Sequence, residues 1–198
     1  SDEEQRRDGD YLDHDQRYQR TGEFLDIIDG LWANEQFSYD GQVYQLENGS
    51  LPPFLGNERK PGVYFSGFSD PALDVAARHA DVYLNWAEPI DKLKPHIERV
   101  RELADKQGRS VRFGLRVDLF ARETEEAAWR DLRRQFERIE GKPSALSSAF
   151  TGGSDSVGGA RQTAYHQNIQ RFDDLILGPN LWAGFAKAKP CLLYTSPS

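Results

Sequence analysis

The sequence predicts an α/β fold built on a parallel sheet. Three strand–helix pairs follow one another between residues 63 and 139, each an apolar run followed by apolar residues at helical spacing. The third run is nearly continuous rather than alternating, as in strands covered on both faces. Two helices in this stretch begin behind capping residues: Asp70 followed by Pro71, and Thr124 followed by Glu125 and Glu126.

Taken in order, residues 1–10 are charged and without periodicity, which predicts a loop. Tyr18, Phe24, Leu25, Ile27, Ile28, Leu31 and Trp32 recur at helical spacings and predict an amphipathic helix over 15–33. Ahead of it, Asp13-His14-Asp15 has the composition of a metal triplet. Adjacent side chains do not converge on one ion, so the triplet is read as a helix cap. Residues 37–46 alternate around Asp40-Gly41, a turn dipeptide, and predict a surface hairpin. Residues 51–62, rich in Pro and Gly, are a connector. Then come strand 63–65, a helix from Asp70, strand 81–86, a helix over 89–107 stopped by Gly108, strand 111–121, and a helix from Thr124 to about 139. Residues 142–190 start polar and Gly-rich, give a helix over 160–172 and the segment 175–189, and show no fourth strand. His79 and His96 fall on helices and are expected to be solvated.

Composition excludes several classes. The 198 residues carry 25 Lys+Arg against 32 Asp+Glu, a net charge of -7, which argues against a nucleic-acid partner. No apolar run approaches the roughly 18 residues of a membrane span, and 12% aromatic residues argue against disorder along the whole chain. One Cys leaves neither an internal disulfide nor a Cys-based zinc site; no metal site is expected. Without a signal peptide at the start, the expected compartment is the cytoplasm. The chain has no Met. Its last eight residues, Cys191 to Ser198, resemble the translation of a sequencing adapter, which would make the lone Cys non-native.

In parallel α/β folds ligands sit at the carboxyl ends of strands. That points to Ser66–Ser69, Asn85–Glu88 and Arg116–Arg122. Strand, Ser-Gly-Phe-Ser, helix start is either an anion site, with backbone N–H groups and a hydroxyl at a helix N-terminus, or an ordinary capped βα loop. Trp86 is either a core plug or a flat wall for an aromatic ring. Arg116 sits mid-strand among apolar neighbours, where a buried guanidinium needs an anion: a substrate, or an internal carboxylate such as Asp118. No nucleophile–base pair, Walker loop or GxGxxG is present.

The segments GDYLDHDQRYQRTGEFLDIIDGLW, VYFSGFSDPALDVAARHADVYLNWAEP, VRFGLRVDLFARETEEAAW and GPNLWAG resemble, in order and over residues 9–184, the bacterial luciferase-like flavin monooxygenases, and within them the alkanesulfonate monooxygenase branch. The resemblance implies a partial (β/α)8 TIM barrel over residues 1–190, cut at both ends, with strands 5–7, their helices and the insertion before strand 8; residues 191–198 would be the adapter-derived tail. It implies reduced FMN, supplied by a separate NAD(P)H-dependent flavin reductase, reacting with O2 to a C4a-peroxyflavin that oxygenates an alkanesulfonate or related organosulfur compound. It also implies a homo-oligomer when full length, and a fragment that is poorly soluble and inactive alone. Within the same resemblance, alternatives are a relative using F420 as a hydride carrier, or a non-catalytic flavin- or phosphate-binding barrel.

Residue by residue, Tyr18 resembles a phosphate-binding Tyr, and Gly67, Phe68 and Ser69 resemble the flavin-phosphate loop. Arg116 resembles an active-site Arg holding the sulfonate, and Trp86 a wall of that site. Pro179 to Gly184 lead into a loop that closes over flavin. The branch has His where this chain has Asp118, and an Asp donates a proton at neutral pH only if its pKa is strongly raised. Phe185 to Lys189 also depart from the expected Gly- and Arg-containing loop.

Overall fold

A computed structural model describes residues 2–52, 55, 59–139, 157, 161 and 171–184. Helix α1 (Asp2–Arg7) occupies part of the predicted N-terminal loop. Helix α2 (His14–Ala33) begins at a reciprocal cap: Asp13 Oδ1 accepts from the Gln16 N–H at 2.8 Å, and Gln16 Oε1 accepts from the Asp13 N–H at 3.0 Å. The cap reading of Asp13-His14-Asp15 therefore holds. Strands β1 (Phe37–Asp40) and β2 (Gln45–Gly49) pair antiparallel as the predicted hairpin. Between them, Glu23 of α2 is 8% exposed and its carboxylate accepts from the N–H groups of Gln42, Val43 and Tyr44 at 2.9–3.0 Å. Burial alone would raise the Glu23 pKa, but those three backbone donors and Gln19 outweigh it and hold the carboxyl below its usual value. The periodic apolar residues predicted the helix correctly. Its most buried positions are nevertheless Gly22 and Glu23.

The strand–helix rhythm is confirmed. Strand β3 (Tyr64–Phe65), α3 (Asp70–His79), β4 (Val82–Trp86), α4 (Ile90–Lys106), β5 (Arg112–Arg116) and α5 (Glu125–Ile139) follow in chain order, and the sheet order is β3-β4-β5. β3 and β4 are parallel, with Tyr64 opposite Val82 and Phe65 opposite Tyr83. The bonds flanking β4 and β5, Arg112 N–H to Asp81 C=O and Ala87 N–H to Arg116 C=O, advance together along both strands, so that pair is parallel too. Gly108 (φ +66°) ends α4, with the Arg109 N–H bonded to the Ala104 carbonyl at 3.0 Å. Thr124 caps α5, its Oγ1 accepting from the Ala127 N–H at 3.1 Å.

Contacts divide the chain into two compact units. In the first, Gln5–Asn85 with Lys94–Gly114, the core joins Leu73, Ala76, Ala80, Tyr83 and Val100, flanked by Phe65, Leu103, Val111 and Phe113. In the second, Ser1–Glu4 with Trp86–Leu93 and Leu115–Ser198, Leu132, Phe136, Phe172 and Leu175 form the core with Phe120, Trp129 and Trp182. Here the predicted absence of further strands is corrected. A 3-10 turn (Asp173–Leu175) leads into β6 (Ile176–Gly178) and β7 (Leu181–Trp182), an antiparallel hairpin turned at Pro179-Asn180, with Asn180 at φ +55°. Pro followed by a residue of positive φ suits a type II turn, and the strands are too short to show alternation.

Three other expectations change. β5 ends at Arg116 rather than at residue 121, and Leu115, Val117 and Leu119 are 54%, 55% and 84% exposed. Leu115 is the penultimate residue of the outer strand of the described sheet, and Val117 and Leu119 lie beyond its end. Secondly, the cap of α3 is Ser69, with Asp70 in its first turn. Thirdly, His79 is buried, its Nδ1 2.9 Å from Asp29 Oδ2 and its Nε2 3.3 Å from Asp26 Oδ1. Asp26 and Asp29, one turn apart on α2, meet the last turn of α3, a pairing between helices that local spacing does not show. The predicted helix over 160–172 falls mostly outside the described residues, as do Phe185 to Lys189 and the eight-residue tail.

Candidate functional site

The loop between β3 and α3 gathers the residues expected at the anion site within the first unit. Gly67 has φ +151°, and a Cβ placed there would lie 2.6 Å from the Ala72 Cβ and 3.0 Å from the Tyr18 hydroxyl. The backbone can follow this path only as glycine, and the path brings it against Tyr18 from α2. Ser69 caps α3 through its carbonyl, which accepts from the Leu73 N–H at 2.9 Å, but its side chain makes no capping bond. The Ser69 Oγ is buried and has no hydrogen-bond partner among the described residues. A buried hydroxyl without a partner costs roughly 1–3 kcal/mol, and an anion at the helix terminus would satisfy it. The first-turn N–H groups of a helix have no intrahelical carbonyl, and the helix dipole favours negative charge there. Asp70, the acid in that turn, points to solvent and pairs with Arg99 at 3.3 Å, which offsets its charge.

Beneath the loop lies a group that sequence reasoning missed. Tyr83, fully buried, donates its hydroxyl hydrogen to the Gly67 carbonyl, and its oxygen lies 2.8 Å from His96 Nε2. The His96 ring stacks on Phe68, centroids 4.4 Å apart at 24°. His96 is thus engaged rather than solvated, a further correction. The signal was available in part: a Tyr within the buried run of DVYLNW needs a partner for its hydroxyl.

Trp86 and Arg116 meet within the second unit. Each is the last residue of its strand, and the Arg116 guanidinium carbon lies 4.4 Å from the Trp86 ring centroid. The Ala87 N–H bonds to the Arg116 carbonyl at 3.3 Å. The expectation of a buried, mid-strand Arg116 gives way to an exposed, strand-terminal one resting on an aromatic face. Asp118 is exposed and lies beyond the strand, in the loop between β5 and α5. Two residues past Trp86, Glu88 has a side chain 1% exposed and accepts from the half-buried Arg161 at 2.5 Å, an ion pair that the sequence did not single out. Asn85, 1% exposed, has no partner for either side-chain amide atom among the described residues.

Among the described residues no helix is long and apolar enough to cross a membrane, and no group of three or more His, Cys, Asp or Glu side chains could hold a metal ion. A family model described as luciferase-like monooxygenase matches residues 1–176. Solved structures share the fold at low identity. EDTA monooxygenase (EmoA) from Chelativorans sp. BNC1 is 22% identical with a TM-score of 0.53, covering 64% of this chain and 34% of its own. Long-chain alkane monooxygenase (LadA) is 19% identical with a TM-score of 0.59, covering 90% and 44%. Riboflavin lyase (RcaE), solved with modified FMN and riboflavin, is 15% identical with a TM-score of 0.55, covering 90% and 45%. The chain spans between a third and a half of the length of these structures.

Proposed function

The chain belongs to the luciferase-like monooxygenase family, and on that premise we propose that the protein is a flavin-dependent monooxygenase whose β3–α3 loop binds the phosphate of FMN. The observation that carries this is the orphaned Ser69 hydroxyl, buried at the N-terminus of α3 beside a glycine that packs on the Tyr18 hydroxyl. Ser69 and Tyr18 would each donate a hydrogen bond to phosphate oxygens, the α3 terminus would add backbone donors, and Gly67 would allow close approach. When bound, reduced flavin supplies the two electrons that let O2 be split between substrate and water.

In this reading β3, β4 and β5 are strands 5–7 of a (β/α)8 barrel. The substrate is an alkanesulfonate or related organosulfur anion. Arg116 holds the charged oxygens with its planar guanidinium, backed by Trp86, which keeps the guanidinium in one orientation. Asp118 occupies the position of the branch's His. From an exposed loop it can orient Arg116 or accept a proton, which favours a substrate whose cleavage needs no proton donor there. A separate NAD(P)H-dependent reductase delivers the reduced FMN, both proteins being cytoplasmic.

The test supplies the full-length protein with reduced FMN from such a reductase and follows product formation from sulfonates, sulfones and uncharged alkanes. Oxygen-dependent turnover of an anionic organosulfur compound is expected, with Arg116→Ala raising its KM at least about tenfold. Turnover of uncharged alkanes alone, or hydride transfer with F420 in place of FMN, would overturn the reading.

A further inference from the structure

Tyr83 and His96 lie outside the residues that would touch FMN, yet they hold two consecutive residues of the loop that does. The Tyr83 hydroxyl has one hydrogen, and it goes to the Gly67 carbonyl. The 2.8 Å contact between Tyr83 Oη and His96 Nε2 must therefore be donated by His96, which fixes Nε2 as the protonated ring nitrogen. The same imidazole lies flat against Phe68, and Tyr83 packs edge-on against Phe113 in the core. Each partner is rigidly based: Tyr83 is fully buried in β4, and His96 follows Pro95 in α4.

From this geometry we propose that Tyr83 and His96 are positioning residues that set the protein's preference for a phosphorylated flavin. Resting on the FMN reading above, the inference adds how the loop is held. The carbonyl of Gly67 is turned inward to Tyr83, which directs the peptide N–H of Phe68 the opposite way, because the two groups of one peptide unit point in opposite directions. The stack on His96 pins the Phe68 side chain and stops the loop from rotating back. A loop held in this way presents its donors before the ligand arrives, so less ordering free energy is lost on binding. A ligand without the phosphate gains nothing from that arrangement.

The experiment compares equilibrium dissociation constants for FMN and riboflavin, both reduced, in the full-length protein and in Tyr83→Phe, His96→Gln and His96→Ala. Tyr83→Phe keeps the ring and removes only the hydroxyl. It is expected to weaken FMN roughly 5- to 10-fold, about the value of one buried hydrogen bond, while riboflavin binding stays unchanged. His96→Ala is expected to do the same, and His96→Gln, whose amide can still donate near the Nε2 position, to recover part of the loss. A merely structural role would weaken both flavins together. An unchanged FMN-to-riboflavin ratio in all three variants, with the wild type preferring FMN, would overturn the positioning role alone. A wild type that binds the two flavins equally would overturn the phosphate loop and the positioning role together. Should Tyr83→Phe fail to fold, the two His96 variants decide.

Discussion

Among single residues, the proposed phosphate loop depends on what is absent as much as on what is present. A methyl group at position 67 would collide with Ala72 at 2.6 Å and with the Tyr18 hydroxyl at 3.0 Å, and φ +151° disfavours any side chain. Gly67→Ala should therefore weaken FMN at least about tenfold while leaving the KM for the organic substrate within about twofold, measured by flavin titration and steady-state kinetics. Arg116→Lys tests the other end of the chemistry. Lysine keeps the charge but loses the flat stack on Trp86 and the forked donors, so the substrate KM should rise roughly tenfold with FMN affinity unchanged. Equal effects on both ligands would contradict the assignment of separate roles. The positions of these residues were legible beforehand, because strand ends and a Ser-Gly-Phe-Ser loop before a helix are local patterns. The state of Arg116 was not: apolar neighbours suggested burial, whereas the strand stops at Arg116 and leaves it exposed.

Single elements are held by polar contacts that periodicity does not reveal. The α2 helix was found from its apolar residues, yet it is anchored to the β1–β2 turn by the Glu23 carboxylate. Glu23→Ala leaves three amide donors without that acceptor. It should lower the protection of the Gln42, Val43 and Tyr44 amides in hydrogen exchange by about 1–3 kcal/mol. Because the Glu23 pKa is depressed in the folded state, its contribution is complete above the ordinary glutamate value of 4.5 and is lost as the pH falls below it through the folded value. The wild-type amides should thus lose protection on acidification over that range, and the variant should not show this dependence. His79 shows the same limit of sequence reading. Burial would raise the Asp29 pKa, but hydrogen bonds from Lys60 and His79 outweigh it, and those partners lie 31 and 50 residues away. The β6–β7 hairpin is hidden from periodicity for a different reason. Two strands of three and two residues are too short to establish a period, so Pro179-Asn180 was the only cue. Trp182, stacked 5.0 Å from Phe172 with its Nε1–H donating to the Phe172 carbonyl, is the anchor of that hairpin. Trp182→Ala should cost about 2–4 kcal/mol of stability, read by denaturant unfolding.

For the molecule as a whole, the rhythm of strand and helix carried the fold class because each βαβ unit writes its own turns and caps into a short stretch of sequence. Two hydrophobic cores, one around Tyr83 and one around Phe172, account for most of the buried apolar residues. Leu115, Val117 and Leu119 remain outside both, at and beyond the end of an edge strand. Exposed apolar residues at a sheet edge promote association. The 198-residue chain by itself should therefore bind hydrophobic dyes and sediment as aggregates, and replacing Val117 and Leu119 with Lys should keep more of it in the supernatant. The proposed function rests on the β3–α3 corner holding the phosphate of a flavin. It is tested most directly by anaerobic titration of the full-length protein, and of its Ser69→Ala and Tyr18→Phe variants, with reduced FMN and reduced riboflavin. Two charge-assisted hydrogen bonds predict FMN binding about a hundredfold tighter than riboflavin, with each substitution removing roughly tenfold of that preference. Absence of FMN binding, or equal affinity for the two flavins in all three proteins, would contradict it.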